Sequence, residues 1–340
     1  MKRRQFLAGV AQASVVLGAP ALSRAALAGT TITHVGFGGT AADYIRDVLA
    51  PAFARETGIQ VRIMAGPDLA RIKAQVQGGH VEWDVVEVGP QAYAGQKEGL
   101  WEPIDQALIP PSHFEVQAPP FAVPLLITTQ GIAYDPARSR PIRTFAELFD
   151  VRNFPGRRAF RDRVSENLEI ALLADGVKPN QLYPLDVERA FRVLDQIKPH
   201  VKKWSNETQL MISMLQQKEA EYTYAASNRV KLANESGSSI AFSFGEAISS
   251  PWWTCVVKGT KNRQAAMQWL AFLTRPDVQL KLANKHGLAS GVKDVNQKID
   301  AVARRWIVDF KNPNHVFLND AYWADHYVAL DRRFKEWIIS

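Results

Sequence analysis

Residues 31–88 are TITHVGFGGTAADYIRDVLAPAFARETGIQVRIMAGPDLARIKAQVQGGHVEWDVVEV, and the periodicity of their apolar residues changes several times. The patterns are, in chain order, a strand at 31–35, a helix at 44–53, a strand at 59–63, a helix at 68–78 and a strand at 85–88. In the first helix the apolar residues recur at spacings of one, three and four, which is typical of an amphipathic helix. Because strands that alternate with helices tend to pair in parallel, we predict an α/β fold built on a sheet of parallel strands.

Two loops of this segment follow strands and are predicted to face a ligand. Ligands of α/β sheets bind beyond the carboxyl ends of the strands, where Gly36-Phe37-Gly38-Gly39-Thr40 and residues 88–93 lie. The first loop lacks the third glycine of a dinucleotide-binding G-x-G-x-x-G motif. It is either a loop whose backbone approaches a ligand or an ordinary tight turn.

The rest of the 340-residue chain continues the mixture of strands and helices. A chain of this length exceeds one comfortable hydrophobic core, so two lobes are expected. Two apolar strands, 121–127 and 132–134, are predicted to be joined by a polar turn. Later patterns predict a strand at 221–224 and helices at 166–174, 186–197, 209–217, 262–274, 276–285 and 321–337.

Residues 1–28 have the features of an export signal. Three basic residues at 2–4 precede a short apolar stretch that ends in Ala26-Leu27-Ala28. A positive start, an apolar middle and an A-x-A end indicate a secretory signal peptide, and the arginine pair followed by Phe6 is typical of the twin-arginine type. We expect cleavage after Ala28, with Ala25 as the alternative, and a product located in the periplasm.

Composition argues against several classes of function. The formal net charge is +7, but the signal segment holds four of the basic residues and no acid, so nucleic-acid binding is not indicated. The single cysteine, Cys255, excludes an internal disulfide. The seven histidines show no metal-ligand spacing, so neither a metal nor a cofactor is predicted. No nucleophile motif indicates an enzyme.

Several segments, taken in order, resemble the periplasmic solute-binding proteins of ABC importers, most of all their spermidine/putrescine-binding branch. The segments are FARETGIQV (53–61), WDVV (83–86), GLWEPID (99–105), GIAY (131–134), TFAEL (144–148), FPG (154–156) and AAMQWLAFL (265–273). The resemblance implies a type II two-lobe fold, with a ligand cleft between lobes that are joined by hinge strands. It also implies an ABC permease as partner, a monomeric receptor and a polyamine-like or amino-acid-derived ligand. The alternatives are an anionic or zwitterionic solute, such as a carboxylate, a phosphonate or an opine-like compound, and a sensor subunit that hands its ligand to a membrane receptor.

The resemblance also divides the chain into lobes. Residues 29–132 are expected to form lobe 1, residues 133–254 to form lobe 2, and residues 255–294 to return to lobe 1. Residues 295–340 are expected to form C-terminal helices packed on lobe 2.

Aromatic residues near the predicted cleft are candidates for stacking on the ligand. The candidates are Phe37, Tyr44, Tyr93, Tyr224, Trp252 and Trp253. The resemblance implies an aromatic contact at Tyr44 and another in the loop that contains Tyr224. For Tyr44, Tyr93 and the two tryptophans, packing in the protein interior is the alternative.

Arg161, Asp162, Arg163 and Glu166 form the predicted charged part of the site. The resemblance aligns Glu166 with an acid that holds an ammonium group, whereas Arg163 stands where the polyamine branch has a second acid. Two arginines beside the start of a helix instead suit a carboxylate or a phosphate. We therefore expect an amine held by Glu166 and Asp162, an acid held by the arginines, or a ligand that carries both charges. A cluster of capping and solvated charges is the alternative.

Overall fold

The computed structural model describes residues 27–340, and the predicted signal segment 1–28 lies almost entirely outside them. In the described part of the chain the strands form one mixed ten-stranded sheet. The strands are β1 Thr31–Gly36, β2 Gln60–Ala65, β3 Val85–Glu87, β4 Val123–Tyr134, β5 Arg158–Arg161, β6 Val201–Ser205, β7 Tyr222–Ala226, β8 Ala241–Val256, β9 Ala289–Ser290 and β10 His315–Phe317.

The helices cover the sheet and include one π-helical stretch, Ile45–Leu49. The α-helices are α1 Gly39–Tyr44, α2 Ala50–Thr57, α3 Leu69–Gln77, α4 Gln91–Lys97, α5 Phe145–Phe149, α6 Val164–Ala174, α7 Val187–Ile197, α8 Thr208–Gln216, α9 Ser227–Glu235, α10 Arg263–Leu273, α11 Pro276–His286, α12 Ala301–Arg304 and α13 Asp320–Ile339. No helix within residues 27–340 is long and apolar enough to cross a membrane.

The strand order is β2-β1-β3-β8-β4-β7-β5-β6, with β9 paired to β4 and β10 paired to β8. The predicted parallel pairing of the opening segment is confirmed, since β1 runs parallel to both β2 and β3. A second parallel set is formed by β7, β5 and β6. The long strands β4 and β8 run antiparallel to each other and lie between the two sets.

The two largest hydrophobic cores of the described residues lie one in each lobe of this α/β fold. The lobe 1 core includes Phe53 and Trp269, and the lobe 2 core includes Phe160 and Phe334. Strand β4 contributes Val123 to the first core and Ile132 to the second. Strand β8 likewise contributes Ile248 to the second core and Val256 to the first. These two strands therefore carry the chain across between the lobes.

The prediction of a polar turn between residues 127 and 132 is wrong. Residues Val123–Tyr134 form one continuous strand, which pairs with β7 and β8 along most of its length. The polar segment Thr128-Thr129-Gln130-Gly131 lies where the strand passes between the two cores. It is polar because Thr128 and Gln130 line the interlobe cavity, while Thr129 hydrogen-bonds across the pair to Ser249.

The C-terminal region divides between the lobes instead of packing on lobe 2 alone. Ile299, Ala303 and Ile307 pack with Ala283 of α11, on the lobe 1 side. Helix α13 packs on the lobe 2 core through Trp323 and Phe334. The chain therefore crosses between the lobes a third time, through the segment between α12 and α13.

The helix ends follow from local sequence. Gly58 terminates α2 with a φ of 76°. This left-handed conformation is open to glycine without steric cost. Thr144 precedes α5 and forms a capping box with Glu147. The Thr144 side chain accepts the backbone N–H of Glu147, and the Glu147 side chain accepts the backbone N–H of Thr144.

Candidate functional site

A cavity of about 1180 Å³ lies in the cleft between the two lobes. Lobe 1 contributes the loop after β1, the start of α4 and the end of α11. Lobe 2 contributes the end of β5, the start of α9 and one side of α13. The crossing strands β4 and β8 line the cavity between these two walls. A concave site with a few convergent polar groups is typical of small-molecule binding.

The loop after β1 presents an aromatic ring and backbone to the cavity. The backbone N–H of Phe37 donates to Glu87 Oε2 at 3.1 Å, which fixes the loop to the end of β3. The Phe37 ring, 46% exposed, meets the Trp252 ring edge-on with centroids 5.6 Å apart. Gly38 and Gly39 follow with φ angles of 82° and 73°, so a side chain at either position would be strained.

The end of α11 adds a neutral histidine to the lobe 1 wall. His286 Nδ1 lies 3.4 Å from Thr40 Oγ1, and its Nε2 atom is buried without a partner among the described residues. Burial, together with the charges of Lys231 and Lys285, lowers the pKa of His286 to about 4. The imidazole is therefore uncharged at neutral pH.

The charged cluster lies at the end of β5 and the start of α6. Arg161 Nη1 donates to both carboxylate oxygens of Glu166, at 2.9 and 3.2 Å. Arg163 Nη1 lies 3.6 Å from Glu166 Oε1, and Arg163 Nε donates to Ser165 Oγ at 2.9 Å. The Glu166 side chain is only 4% exposed. Its charge is therefore already compensated by two guanidinium groups before any ligand enters.

The start of α9 places a third arginine in the cavity. Arg229 has no hydrogen-bond or ion-pair partner among the described residues. Its guanidinium extends towards lobe 1, where a Cβ atom added to Gly39 would lie 3.8 Å from Arg229 Nη2. Sequence reasoning missed Arg229, since no motif marks it. Its position three residues after the end of strand β7 is the signal that could have indicated it.

Helix α13 contributes aromatic side chains to the lobe 2 wall. Trp323 and Tyr327 line the cavity, and Trp323 Nε1 donates to Glu169 Oε1 at 2.7 Å. Glu169 also accepts the Tyr183 hydroxyl at 2.6 Å. Complete burial raises the pKa of Glu169 to about 7 in spite of these donors. The buried carboxyl thus fixes the aromatic face of α13 against lobe 2.

The polar side chains of the crossing strands differ in how well they are satisfied. Trp252 Nε1 donates to Thr128 Oγ1, and Thr129 Oγ1 lies 2.7 Å from Ser249 Oγ. Gln130 lines the cavity, is only 7% exposed and has a buried Oε1 atom without a hydrogen-bond partner in the described structure.

Eight of the residues predicted for the site line this one cavity. They are Phe37, Gly38, Gly39, Thr40, Arg161, Arg163, Glu166 and Trp252. The predicted glycine-rich loop, the charged cluster and one of the two tryptophans are therefore brought together, although they are up to 215 positions apart in the sequence.

Two predicted tyrosines of lobe 1 do not line the cavity. Tyr44 packs against the lobe 1 core, with its ring 5.7 Å from that of His286. Tyr93 packs edge-on against Phe121 at 5.3 Å and Trp253 at 6.1 Å. Both belong to helices whose inner face is occupied by the core, so the alternative of interior packing applies to them.

Three other predicted residues lie beneath the cavity surface. Tyr224 is fully buried and its ring lies 5.5 Å from that of Phe160. Asp162 has a buried Oδ1 atom without a partner in the described chain. Trp253 is 4% exposed and donates from Nε1 to Asp320 Oδ2 at 2.6 Å. Successive residues of a strand point to opposite faces, which sends Trp252 to the cavity and Trp253 to the lobe 1 interior.

The electrostatic balance of the central cavity favours a ligand with negative charge. Arg161, Arg163 and Arg229 face a single carboxylate, Glu166, in this part of the cavity. The two other acids of the lining are engaged, because Glu235 pairs with Lys231 at 2.7 Å and Asp300 accepts the first backbone N–H groups of α12. No group of histidine, cysteine or acidic residues within 27–340 is arranged to hold a metal ion.

Comparison with known proteins agrees with this architecture. The chain is 31% identical to the gamma-aminobutyric acid-binding protein of Pseudomonas aeruginosa, over 90% of both sequences. A solved GABA receptor has a TM-score of 0.84 at 29% identity, covering 91% of this chain and 98% of that one. The binding protein AgtB of A. tumefaciens R10, solved with agropinic acid, has a TM-score of 0.76 at 27% identity, covering 92% and 99%. Residues 49–309 match the family model described as bacterial extracellular solute-binding protein, and the chain belongs to this family.

Proposed function

We propose that this chain is the receptor of an ABC importer and that it binds a small zwitterionic amino acid of the 4-aminobutyrate (GABA) type. The observation that carries the proposal is the excess of arginine over carboxylate in the cavity, where Arg161, Arg163 and Arg229 accompany Glu166 alone. A carboxylate between guanidinium groups forms charge-assisted, often bidentate hydrogen bonds, which are the strong kind. Two of the similar proteins are named for GABA, which supports the same ligand class.

The ligand's ammonium group is expected to lie beside the rings of Phe37 and Trp252. A cation over an aromatic ring is attracted by the ring's quadrupole. The other rings of the lining, Trp323 and Tyr327, lie on the lobe 2 wall, where Tyr327 interacts with Arg163. A diamine such as putrescine fits less well, because its second ammonium group would enter the arginine cluster. The three acids of the lining are engaged and offer no compensating charge.

The remaining features of the proposal concern the setting of the receptor. We infer an exported, monomeric protein whose signal segment 1–28 is removed, which acts in the periplasm and delivers its ligand to a membrane permease. Ligand binding by closure of the lobes on the crossing strands suffices for this role, and no catalytic step is part of it.

Isothermal titration calorimetry on the mature chain tests the ligand class. GABA is expected to bind, whereas putrescine is not. Arg163→Gln should weaken GABA binding about tenfold to hundredfold, the range expected for a hydrogen bond to a charged group. Arg55→Gln, on the exposed side of α2, is the matched control and should leave affinity unchanged. Tight putrescine binding without GABA binding would refute the proposal. Binding of agropinic acid alone would assign the cavity to larger, opine-like ligands.

A further inference from the structure

Gln130 stands apart from the other buried polar side chains of the crossing strands. It lies in the segment of β4 between the two cores, is 7% exposed and lines the cavity. Its Oε1 atom is buried without a partner among the described residues. A buried polar group without a partner destabilises a protein, and such groups in native proteins call for an explanation. A ligand group that donates a hydrogen bond to this oxygen would be such an explanation.

The position of Gln130 relative to the arginines matches the length of a short amino acid. Gln130 pairs with Ala226 of β7, and β7 is followed on its other side by β5, which ends at Arg161. Neighbouring strands lie about 4.8 Å apart, so the backbones of Gln130 and Arg161 are separated by roughly 10 Å. Side chains that extend into the cavity from both sites shorten that gap to the span of a ligand with charges at its two ends.

The hydrogen-bonding capacity of the cavity assigns Gln130 to the amine end. The three arginines donate only, and Glu166 is already occupied by Arg161 and Arg163. An ammonium group needs acceptors, and the buried, unpartnered ones of the lining are Gln130 Oε1, Asn228 Oδ1 and His286 Nε2. Asn228 adjoins Arg229, and the positive charges of Lys231 and Lys285 act on His286, so both suit an ammonium group less well than Gln130 does. The Thr128 hydroxyl accepts from Trp252, and Ser249 is engaged with Thr129.

We propose that Gln130 accepts a hydrogen bond from the ligand's ammonium group and thereby determines that the receptor selects zwitterions. This inference rests on the proposed function. A neutral acceptor satisfies an ammonium group but does not compensate its charge, so the arginines still require a carboxylate at the other end of the ligand. A carboxylate at position 130 would supply that compensation and admit a second amine.

Gln130→Met tests this assignment by calorimetry and by thermal unfolding. Affinity for GABA is expected to fall about tenfold to hundredfold, whereas affinity for butyrate, which lacks the ammonium group, should not change. The melting temperature of the empty protein should stay level or rise, since an unsatisfied polar group is removed. Gln279→Met is the matched control. Gln279 is also buried, but it donates to Leu273 and accepts from Ser290, so its loss should lower the melting temperature and leave both affinities unchanged.

The outcomes separate this inference from the proposed function. If Gln130→Met loses GABA and butyrate affinity equally, or loses neither, the role of Gln130 is overturned. GABA binding by the wild type in the same experiment still upholds the proposed function. Failure of the wild type to bind any ω-amino acid overturns both. Gln130→Glu provides a second test, because it should raise putrescine affinity at least tenfold. An unchanged putrescine affinity in a folded Gln130→Glu protein contradicts the selectivity argument.

Discussion

Replacing Glu166 by glutamine separates the stability of the charged cluster from its affinity for a ligand. In the wild type, Glu166 compensates Arg161 and Arg163 inside the lobe 2 wall, and its side chain is 4% exposed. Removing one partner of a buried ion pair costs about 3–5 kcal/mol, because the other charge stays buried. Glutamine keeps one oxygen for Arg161, so we expect about 3 kcal/mol. In a chain of this size that corresponds to a decrease of about 5 °C in the melting temperature.

The same substitution should strengthen binding of a simple carboxylate. Glu166 repels a ligand carboxylate that lies between the arginines. At a separation of about 6 Å and an effective dielectric constant of about 20, that repulsion is about 3 kcal/mol. Allowing for screening, we expect Glu166→Gln to bind butyrate tenfold to hundredfold more tightly than the wild type does. The stability of the empty protein and its affinity for carboxylates thus change in opposite directions.

Calorimetry with butyrate and differential scanning calorimetry of the empty protein measure the two effects. Glu221→Gln is the matched control, since Glu221 is 8% exposed, pairs with Arg138 and Arg157, and lies outside the cavity lining. It should lower the melting temperature but leave butyrate affinity unchanged. If Glu166→Gln weakens butyrate binding, a ligand carboxylate does not lie among the arginines and the reasoning is refuted.

Three further predictions concern the frame of the site. Burial raises the pKa of Asp320 to about 7, so the native state retains a proton that the unfolded state loses. The free energy of unfolding of the wild type should therefore fall as pH rises from about 4 to about 7. In urea titrations, the free energy of unfolding of Asp320→Asn should rise relative to that of the wild type across this interval, by up to about 1.4 kcal/mol per pH unit. Gly291→Ala should destabilise by more than about 3 kcal/mol in thermal unfolding, because its Cβ would lie 1.7 Å from the Pro124 carbonyl oxygen, whereas Gly176→Ala, with no atom within 4 Å, should cost about 1 kcal/mol. Trp252→Leu should weaken GABA binding about tenfold with little change in melting temperature, and Trp253→Leu should do the reverse; equal effects of the two would contradict their assignment to opposite faces of β8.

Much of the secondary structure could be predicted because its periodicity is unambiguous. The helix expected at 186–197 is observed as Val187–Ile197, with five of its side chains buried, and the strand expected at 31–35 is observed as Thr31–Gly36. Strand β4 could not be predicted in the same way. Thr128-Thr129-Gln130-Gly131 has the composition of a turn, and only the tertiary structure shows that its polar side chains face a cavity and a partner strand.

The site was predictable where function and local sequence coincide. The rule that ligands bind beyond strand ends identified the glycine-rich loop, and the family resemblance identified the cluster at 161–166, which also follows a strand end in the structure. The same rule applied to β7 leads to Tyr224-Ala-Ala-Ser227, of which only Ala226 lines the cavity, whereas Asn228 and the arginine of the site, Arg229, come just after this stretch. Periodicity alone did not distinguish a ring on the core face of a helix, such as Tyr44, from a ring on the cavity face.

The departures from local sequence rules converge on the crossing strands, and this gives them a physical meaning. A strand buried on both faces normally consists of apolar residues, yet β4 is polar where it passes from one lobe to the other. Gln130 makes the empty cleft less stable than an apolar strand would, and a ligand that satisfies it recovers that free energy only when it is present. Binding is thereby coupled to the segment about which the lobes move. A receptor built in this way distinguishes its ligand-bound state from its empty state at the crossing strands. An apolar replacement at position 130 should leave the empty protein at least as stable while it weakens that distinction.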